Sequence, residues 1–409
     1  LIIEDAIAKR RSTIMLTGGR APVTLDLARS FHNAGHRVLV AESARYHVCR
    51  VSRAVERNFL VPAPNTDTEA FLQDLESIVT SEQVDVLIPT CEEIFFVAKG
   101  LDRLRRHCKV WTPPIEQLGE LHDKWRFVLL ARRHGLTVPR SELISTHEEW
   151  LTLAAKERLG ECLVLKPAYS RFASRVLFLS REDHPDKRRR FLANNMNAVT
   201  PQTPWVAQQR IYGRDICTYS VAFEGELIAH TAYPSRYRIG QGASVYFEPI
   251  EHESSREWVR KFVKATQFTG QIAFDFIEEE GGGLFALECN PRATSGVHLF
   301  GASGGLVQAF LQPNALQKSG TVLTPKMSSR AMLAAPMFAA GFRSIRNFRE
   351  LGAWSRAFRI ARDVVYNPMD MRPVAEQLRV LAEAWRTSRK HGISLVEATT
   401  IDIEWNGDA

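Results

Sequence analysis

Residues 274–292 read FDFIEEEGGGLFALECNPR, and this stretch governs how the rest of the chain is understood. Phe274-Asp275-Phe276-Ile277 is a strand-like run, and Leu284-Phe285-Ala286-Leu287-Glu288-Cys289-Asn290 is another. Gly281-Gly282 lies between them, the dipeptide type that tight hairpin turns favour. With those two glycines as the loop, Asp275 is expected directly opposite Glu288. Side chains alternate along a strand, so Asn290 is expected on the face that carries Glu288. Like charges directly opposed across a sheet are destabilising, so a cation is expected between them. An oxygen-only donor set suits Mg²⁺ held together with phosphates, with Mn²⁺ as the alternative ion. Arg292, two residues on, offers a fixed cation for phosphate or carboxylate. A solvated hairpin face is the competing reading, and the bulky apolar neighbours of both acids argue against it.

Two lysines precede the acids. Lys124 stands in HDKWRF, and Lys166 ends the apolar run Leu163-Val164-Leu165 just before Pro167. A lysine at the end of a buried strand has little reason to be there unless an anion meets it. Gln208-Gln209-Arg210-Ile211 and Asp215 follow. Cations for the phosphates, acids for the metal and Asp215 for ribose hydroxyls would together form a nucleotide site.

The 409 residues exceed one ordinary core. Four segments are expected: an α/β domain over residues 1–115, a small lobe over 116–205, a second lobe with the metal site over 206–325, and a mainly helical region over 326–409. The first segment alternates strand and helix signals, as in TIMLT, then Gly18-Gly19 and a helix, then VLVA, which predicts a parallel sheet covered by helices. Gly18-Gly19 with Glu42 ending the second strand is half of a dinucleotide fingerprint, but the full glycine spacing is missing. A tight strand-to-helix turn is the preferred reading there. A helix is expected to begin at Leu121-His122-Asp123-Lys124. Residues 162–230 read as β-rich, and the segment after about residue 325 as helical and rich in Arg, Ala and Leu.

The net charge of +7 is spread along the chain, apart from Lys187-Arg188-Arg189-Arg190, which reads as a solvated helix face or loop. No nucleic-acid partner and no membrane partner are expected. A homo-oligomer stays open. The six cysteines (Cys49, Cys91, Cys108, Cys162, Cys217, Cys289) have neither zinc nor disulfide spacing, so free thiols in a reducing cytoplasm are expected. The first residues lack the order of a signal peptide and lack an initiator Met.

TIMLTGGRAPVTLDLARSF, VDVLIPTCEE, LHDKWRFVLLARRHGLTVP and DFIEEEGGGLFALECNPRATSG, in this order, resemble the ATP-grasp superfamily. They look most similar to its branch near carbamoyl-phosphate synthase large chains and biotin carboxylases, over residues 12–315. The resemblance implies α/β and α+β architecture: an ATP-grasp fold with an N-terminal Rossmann-like domain and a helical C-terminal extension. It implies that Lys124 and Lys166 contact ATP phosphates, that Gln208, Gln209, Arg210 and Ile211 meet adenine, and that Asp215 meets the ribose. It implies Asp275, Glu288 and Asn290 as magnesium ligands, and Arg292, with Lys166, as the group stabilising the reacting phosphate or oxyanion. Relatives carry a glycine-rich loop after the second lysine. Here that segment is AYSRFASR, so Ser170 and Ser174, with Arg171 or Arg175, are expected to replace backbone contacts. Gln208 stands where many relatives carry Glu.

The implied activity is that of an ATP- and Mg²⁺-dependent ligase. It phosphorylates a carboxylate, captures the acylphosphate with an amine or thiol, and releases ADP and phosphate. A bicarbonate-phosphorylating enzyme is the second reading; a non-catalytic nucleotide-binding module and an NAD-dependent oxidoreductase rank below it. Arg236 and Arg238, in the polar loop after Pro234, are candidates to clamp a substrate carboxylate.

Overall fold

The computed structural model describes residues 11–155, 163–169, 176–179, 184–238, 244–301, 305–345 and 347–407. In chain order the elements used below begin with β1 (Thr13–Thr17), α1 (Pro22–Asn33), β2 (Arg37–Glu42), β3 (Arg57–Leu60), α2 (Thr68–Ser81), β4 (Val86–Ile88), α3 (Glu93–Lys99) and β5 (Lys109–Val110). Then come α4 (Lys124–Arg133), β6 (Ser141–Ile144), β7 (Leu163–Pro167), β8 (Leu177–Leu179), α5 (Pro185–Asn195), β9 (Trp205–Gln209), β10 (Arg214–Phe223), β11 (Glu226–Pro234) and β12 (Tyr246–Phe247). The last are α6 (Glu253–Ala265), β13 (Gly270–Glu278), β14 (Leu284–Asn290), β15 (Ala331–Met332), β16 (Arg362–Asp363), α7 (Arg372–His391) and α8 (Leu395–Ala398).

Strands β1 to β5 form a parallel sheet in the order β3-β2-β1-β4-β5. Its central strands are apolar on both faces: Ile14, Met15 and Leu16 in β1 and Val86, Leu87 and Ile88 in β4 are all buried. That is the composition a strand needs when helices cover both sides. Pro22 opens α1, where its missing N–H costs nothing. Leu25, Leu27, Ala28 and Phe31 then turn inward.

Two compact units emerge. The first joins the chain up to Leu118 with Cys217–Ala273 and Asn290–Trp405. Its core runs from Ile14, Leu16 and Phe31 to Trp111 and Phe310, whose rings meet edge-on at 5.1 Å. Within it, Asp26 accepts from Arg362 (2.9 Å) and pairs with His298 Nδ1 (2.7 Å), and these partners hold its carboxyl below the usual range despite burial. The short strands β12, β15 and β16 form a small sheet of their own.

The second unit joins Gly119–Ile216 with Phe274–Cys289 and the residues from Asn406 onward. It contains an antiparallel sheet of order β6-β9-β7-β8. Trp150 and Trp205, 5.5 Å apart, pack there with Leu165, Leu179 and Leu192. A further four-stranded sheet has the order β11-β10-β13-β14.

The helix expected from Leu121 is divided. Asp123 caps α4, accepting from Trp125 N (2.8 Å) and Arg126 N (3.0 Å), so the helix restarts at Lys124. A side chain that accepts from the first turn's orphan N–H groups begins a helix rather than continuing one. The basic run at residues 187–190 falls within α5. Among the described residues Cys49, Cys91, Cys108, Cys217 and Cys289 are not joined to one another in disulfides, and Cys162 lies outside those residues. Among the described residues no helix is long and apolar enough to cross a membrane.

Candidate active site

The hairpin loop differs from the expected two-glycine turn. Glu279 N donates to Gly283 O (2.8 Å) and Gly282 N donates to Glu279 O (2.9 Å), with Gly282 at φ +82°. The loop is therefore three residues, 280–282, closed by a glycine bulge. This moves the register at the turn by one residue. Burial along β14 then slips: Leu284 and Ala286 are inward, but the next inward residue is Cys289. An odd spacing reverses which face is buried. Glu288 and Asn290 thus flank Cys289 on the opposite, half-buried face of the strand. Asp275 is half-buried in β13 between Phe274 and Phe276, which are buried.

Lys166 and Lys124 are both buried, at 5% and 6% exposure. Lys166 ends the apolar strand β7. Lys124 is the first residue of α4, and its backbone N–H donates to Ala168 O at 3.1 Å, tying the helix start to the segment just after Lys166. The Lys166 ammonium donates to Gln208 Oε1 (3.0 Å) and to Leu287 O (3.1 Å). Gln208 Nε2 donates to Ser141 Oγ (3.2 Å), whose hydroxyl donates to Pro139 O (3.0 Å). Because the Ser141 hydroxyl donates onward, it accepts from the amide, and this fixes the Gln208 oxygen toward Lys166.

Burial pushes the Lys166 pKa down to about 8; the Glu288 charge opposes this, Lys124 adds to it, and Asp275 opposes it again. A buried lysine close to a second lysine loses its charge readily unless anions compensate. Lys124, Lys166, Gln208, Asp275 and Glu288, drawn from five separate elements, therefore form one electrostatic group. The Gln208 side chain bonds both Lys166 and Ser141, as a fully buried amide requires.

The other expected residues are placed as follows. Gln209 ends β9 and its N–H donates to Arg140 O at 2.8 Å. Arg210 lies over the rings of Phe178 and Tyr212, at 5.0 and 4.8 Å. Ile211 is buried, and Asp215 is half-buried in β10. Ser170, Arg171, Ser174 and Arg175 lie outside the described residues. Arg292 belongs to the first unit, where it meets Asn290 Oδ1 (3.2 Å) and Glu92 (3.6 Å). Arg236 is exposed beside Tyr237, and Arg238 Nε donates to Ser235 Oγ at 2.7 Å.

The Gly18-Gly19 turn follows β1 with Gly18 at φ +73°. Arg20 bonds both oxygens of Glu42 and reaches Asp402 Oδ2 (2.7 Å) and Thr399 O (2.9 Å). Glu42, the acid of the half fingerprint, is thus held by an arginine of the same turn. Glu93 Oε1 accepts from Thr17 Oγ1 (2.7 Å) and from the N–H groups of Thr90 and Cys91, so it locks the ends of β1 and β4 together.

The residues that sequence reasoning missed are Ser141 and the carbonyl of Leu287. Nothing in a sequence marks a backbone oxygen, and Ser141 is an ordinary strand residue by type. Asp123 is expected within a helix from Leu121, whereas it caps the helix that starts at Lys124.

No family model matches the chain. A carbamoyl phosphate synthase large chain from Clostridium botulinum (strain Alaska E43 / Type E3) is 26% identical over 198 residues, 46% of this chain and 18% of that protein. The chain thus spans under a fifth of the length of the curated relatives it matches. Among solved structures, an L-amino acid ligase from Bacillus licheniformis superposes with a TM-score of 0.56 at 16% identity, covering 74% of this chain and 75% of that one. A biotin carboxylase from Campylobacter jejuni, in complex with β,γ-ATP, superposes with a TM-score of 0.57 at 15% identity, over 80% and 75% of the two chains. The fold is that of the ATP-grasp enzymes. In ATP-grasp terms, the parallel sheet β1 to β5 is the Rossmann-like N-terminal part and α7 with α8 the helical extension.

Proposed function

We propose that this ATP-grasp chain is an ADP-forming ligase that joins a carboxylate to an amine, or to a thiol, through an acylphosphate. The observation that carries this reading is the buried pair Lys124 and Lys166 set in the field of Asp275 and Glu288. Two buried ammonium groups beside two acids suit a ligand that is itself charged in parts, anionic phosphate with a divalent cation. Asp275, Glu288 and Asn290 offer only oxygen donors toward a cation, the chemistry that suits Mg²⁺, and Mn²⁺ by the same argument. In this proposal Asp215 is assigned to the ribose and Arg292 to the reacting phosphate, as the resemblance implies. The four segments expected from the sequence, and a reducing cytoplasm as the compartment, are part of the same proposal.

In this reading a substrate carboxylate oxygen attacks the γ-phosphorus, and the bond to the β-phosphate oxygen breaks to release ADP. The nucleophile's nitrogen or sulfur then attacks the acyl carbon, loses its proton and expels phosphate. Such transfer is largely positioning and charge neutralisation, which the lysines and Arg292 are suited to provide. Carboxylic acids crossed with amines and thiols, read by ADP release and product mass, test the proposal. Turnover should require both substrates and vanish in Glu288→Ala. Full turnover in that variant, or ATP with Mg²⁺ giving no thermal stabilisation where NAD does, would remove the reading. A second reading makes bicarbonate the phosphorylated substrate, and the 26% identity to a carbamoyl phosphate synthase favours including it in the same panel.

A further inference from the structure

Helix α7 carries a face that is exposed among the described residues. Leu378, Leu381 and Trp385 are 73%, 58% and 55% exposed, and Met371 is 57% exposed. Large apolar side chains at these levels, on one stripe of a helix, are not the scattered exposure of an ordinary surface. Met371, Leu378 and Trp385 recur every seven residues, with Leu381 and Ala382 filling the stripe between. Leu395 of α8 closes one side, leaving a concavity of about 350 Å³ lined by Leu378, Leu381, Ala382, Trp385 and Leu395.

The opposite border of the stripe is basic. Arg372, Arg379 and Arg386 also recur every seven residues, and Arg389 lies over the Trp385 ring at 5.6 Å. The helix holds five arginines and lysines (Arg372, Arg379, Arg386, Arg389, Lys390) against two acids. One of those acids, Glu376, is buried on the inner face, where Arg50 meets it at 2.6 Å. Among the described residues Arg379 and Arg386 pair with acids of their own helix, Glu376 and Glu383, at 3.0 and 3.3 Å. Both guanidiniums are mostly exposed, and such surface pairs are weak, so they stay available to a partner.

We infer that the open face of α7, walled by α8, is a docking groove for an acidic amphipathic helix of a partner protein. The seven-residue recurrence fits a helix laid into a groove, with apolar anchors inside and acids against the arginine row. A second copy of the same basic helix would bring like charges together. A membrane surface fits less well, because the face is concave.

The test uses the full chain and two labelled synthetic helical peptides that share one leucine seam, one flanked by glutamates and the other by lysines. Fluorescence anisotropy should show the glutamate peptide binding at least tenfold tighter. Leu378→Asp with Leu381→Asp should abolish that binding, and Arg379→Glu with Arg386→Glu should invert the preference. All four positions are exposed, and unchanged thermal midpoints verify that the variants fold. Equal binding of the two peptides, or of neither, overturns the proposal. A dimer by sedimentation that Leu381→Asp dissolves assigns the face to a second copy and also overturns it. Binding to phosphatidylserine vesicles, lost in Leu378→Asp with Leu381→Asp, does the same in favour of a membrane.

Discussion

The ammonium of Lys166 is held by the side-chain oxygen of Gln208 at 3.0 Å, and that oxygen is aimed by the bond from Gln208 Nε2 to Ser141. A neutral amide therefore fills the place where a carboxylate would have formed a buried ion pair. Gln208→Leu should leave the ammonium with the Leu287 carbonyl as the remaining bond described here. Losing a hydrogen bond to a buried charged group costs about 1.5–3 kcal/mol. ATP affinity, measured by calorimetry, should fall by roughly tenfold or more on that scale. Gln208→Glu should keep the position and tighten ATP less than it tightens Lys166. Ser141→Ala should weaken binding by a smaller factor.

A second expectation concerns pH. The Lys166 pKa lies at about 8, below its ordinary value of 10.5. Between these values the unfolded chain binds the proton that the folded chain has released. The buried ammonium thus opposes folding below pH 8, and that cost disappears as pH rises from about 8 to 10.5. Phosphate binding favours the charged lysine, so ATP binding should take up a proton above pH 8 and weaken as pH rises. Calorimetry at pH 8.5 in buffers of different ionisation enthalpy should show that uptake, and Lys166→Met should lose it. Glu288→Gln removes a charge that supports the ammonium, so the alkaline loss should begin at lower pH.

The third concerns the Arg20 cluster. Glu42 is buried and bonded to Arg20, and both lie in the first unit. Arg20→Leu strands that carboxylate and should cost about 3–5 kcal/mol in urea unfolding. Arg20→Leu with Glu42→Leu should be less harmful than the single change. Equal damage in both would show that the pairing is not what holds the turn.

The fourth is steric. A methyl group added at Gly213 would stand 2.0 Å from the backbone oxygen of Glu278. A backbone atom cannot rotate away, so Gly213→Ala should displace the end of β13. The expected loss is about 1–3 kcal/mol, read from the urea midpoint. Gly281→Ala, with open space around it, should leave the midpoint unchanged.

Much of this was legible in the sequence because the signals were local. The apolar runs of β1, β4 and β7 announce buried strands, and Gly281-Gly282 announces a hairpin. The burial of Lys166 was readable because it ends such an apolar run. The loop length was not readable. Three consecutive glycines allow several turns, and the choice rests on the bonds that Glu279 makes with Gly282 and Gly283. Gln208 shows another kind of limit. Its type says that it will bond, but the partner that claims it comes from β7, 42 residues away along the chain. The exposed face of α7 was visible only as a helical, arginine-rich stretch, since exposure depends on what the rest of the fold leaves uncovered.

The bonds from Arg20 to Thr399 and Asp402 have a consequence for the order of events in the cell. They join positions 379 and 382 residues apart. As the ribosome extrudes the chain, the turn between β1 and α1 emerges with Arg20 and Glu42 present and Asp402 still unmade. Contacts of such sequence separation form late and slow folding. The sheet β1 to β5 must therefore wait, incompletely sealed, until Thr399 and Asp402, 379 and 382 positions further along, are translated, and chaperone dependence during synthesis should concentrate on that turn.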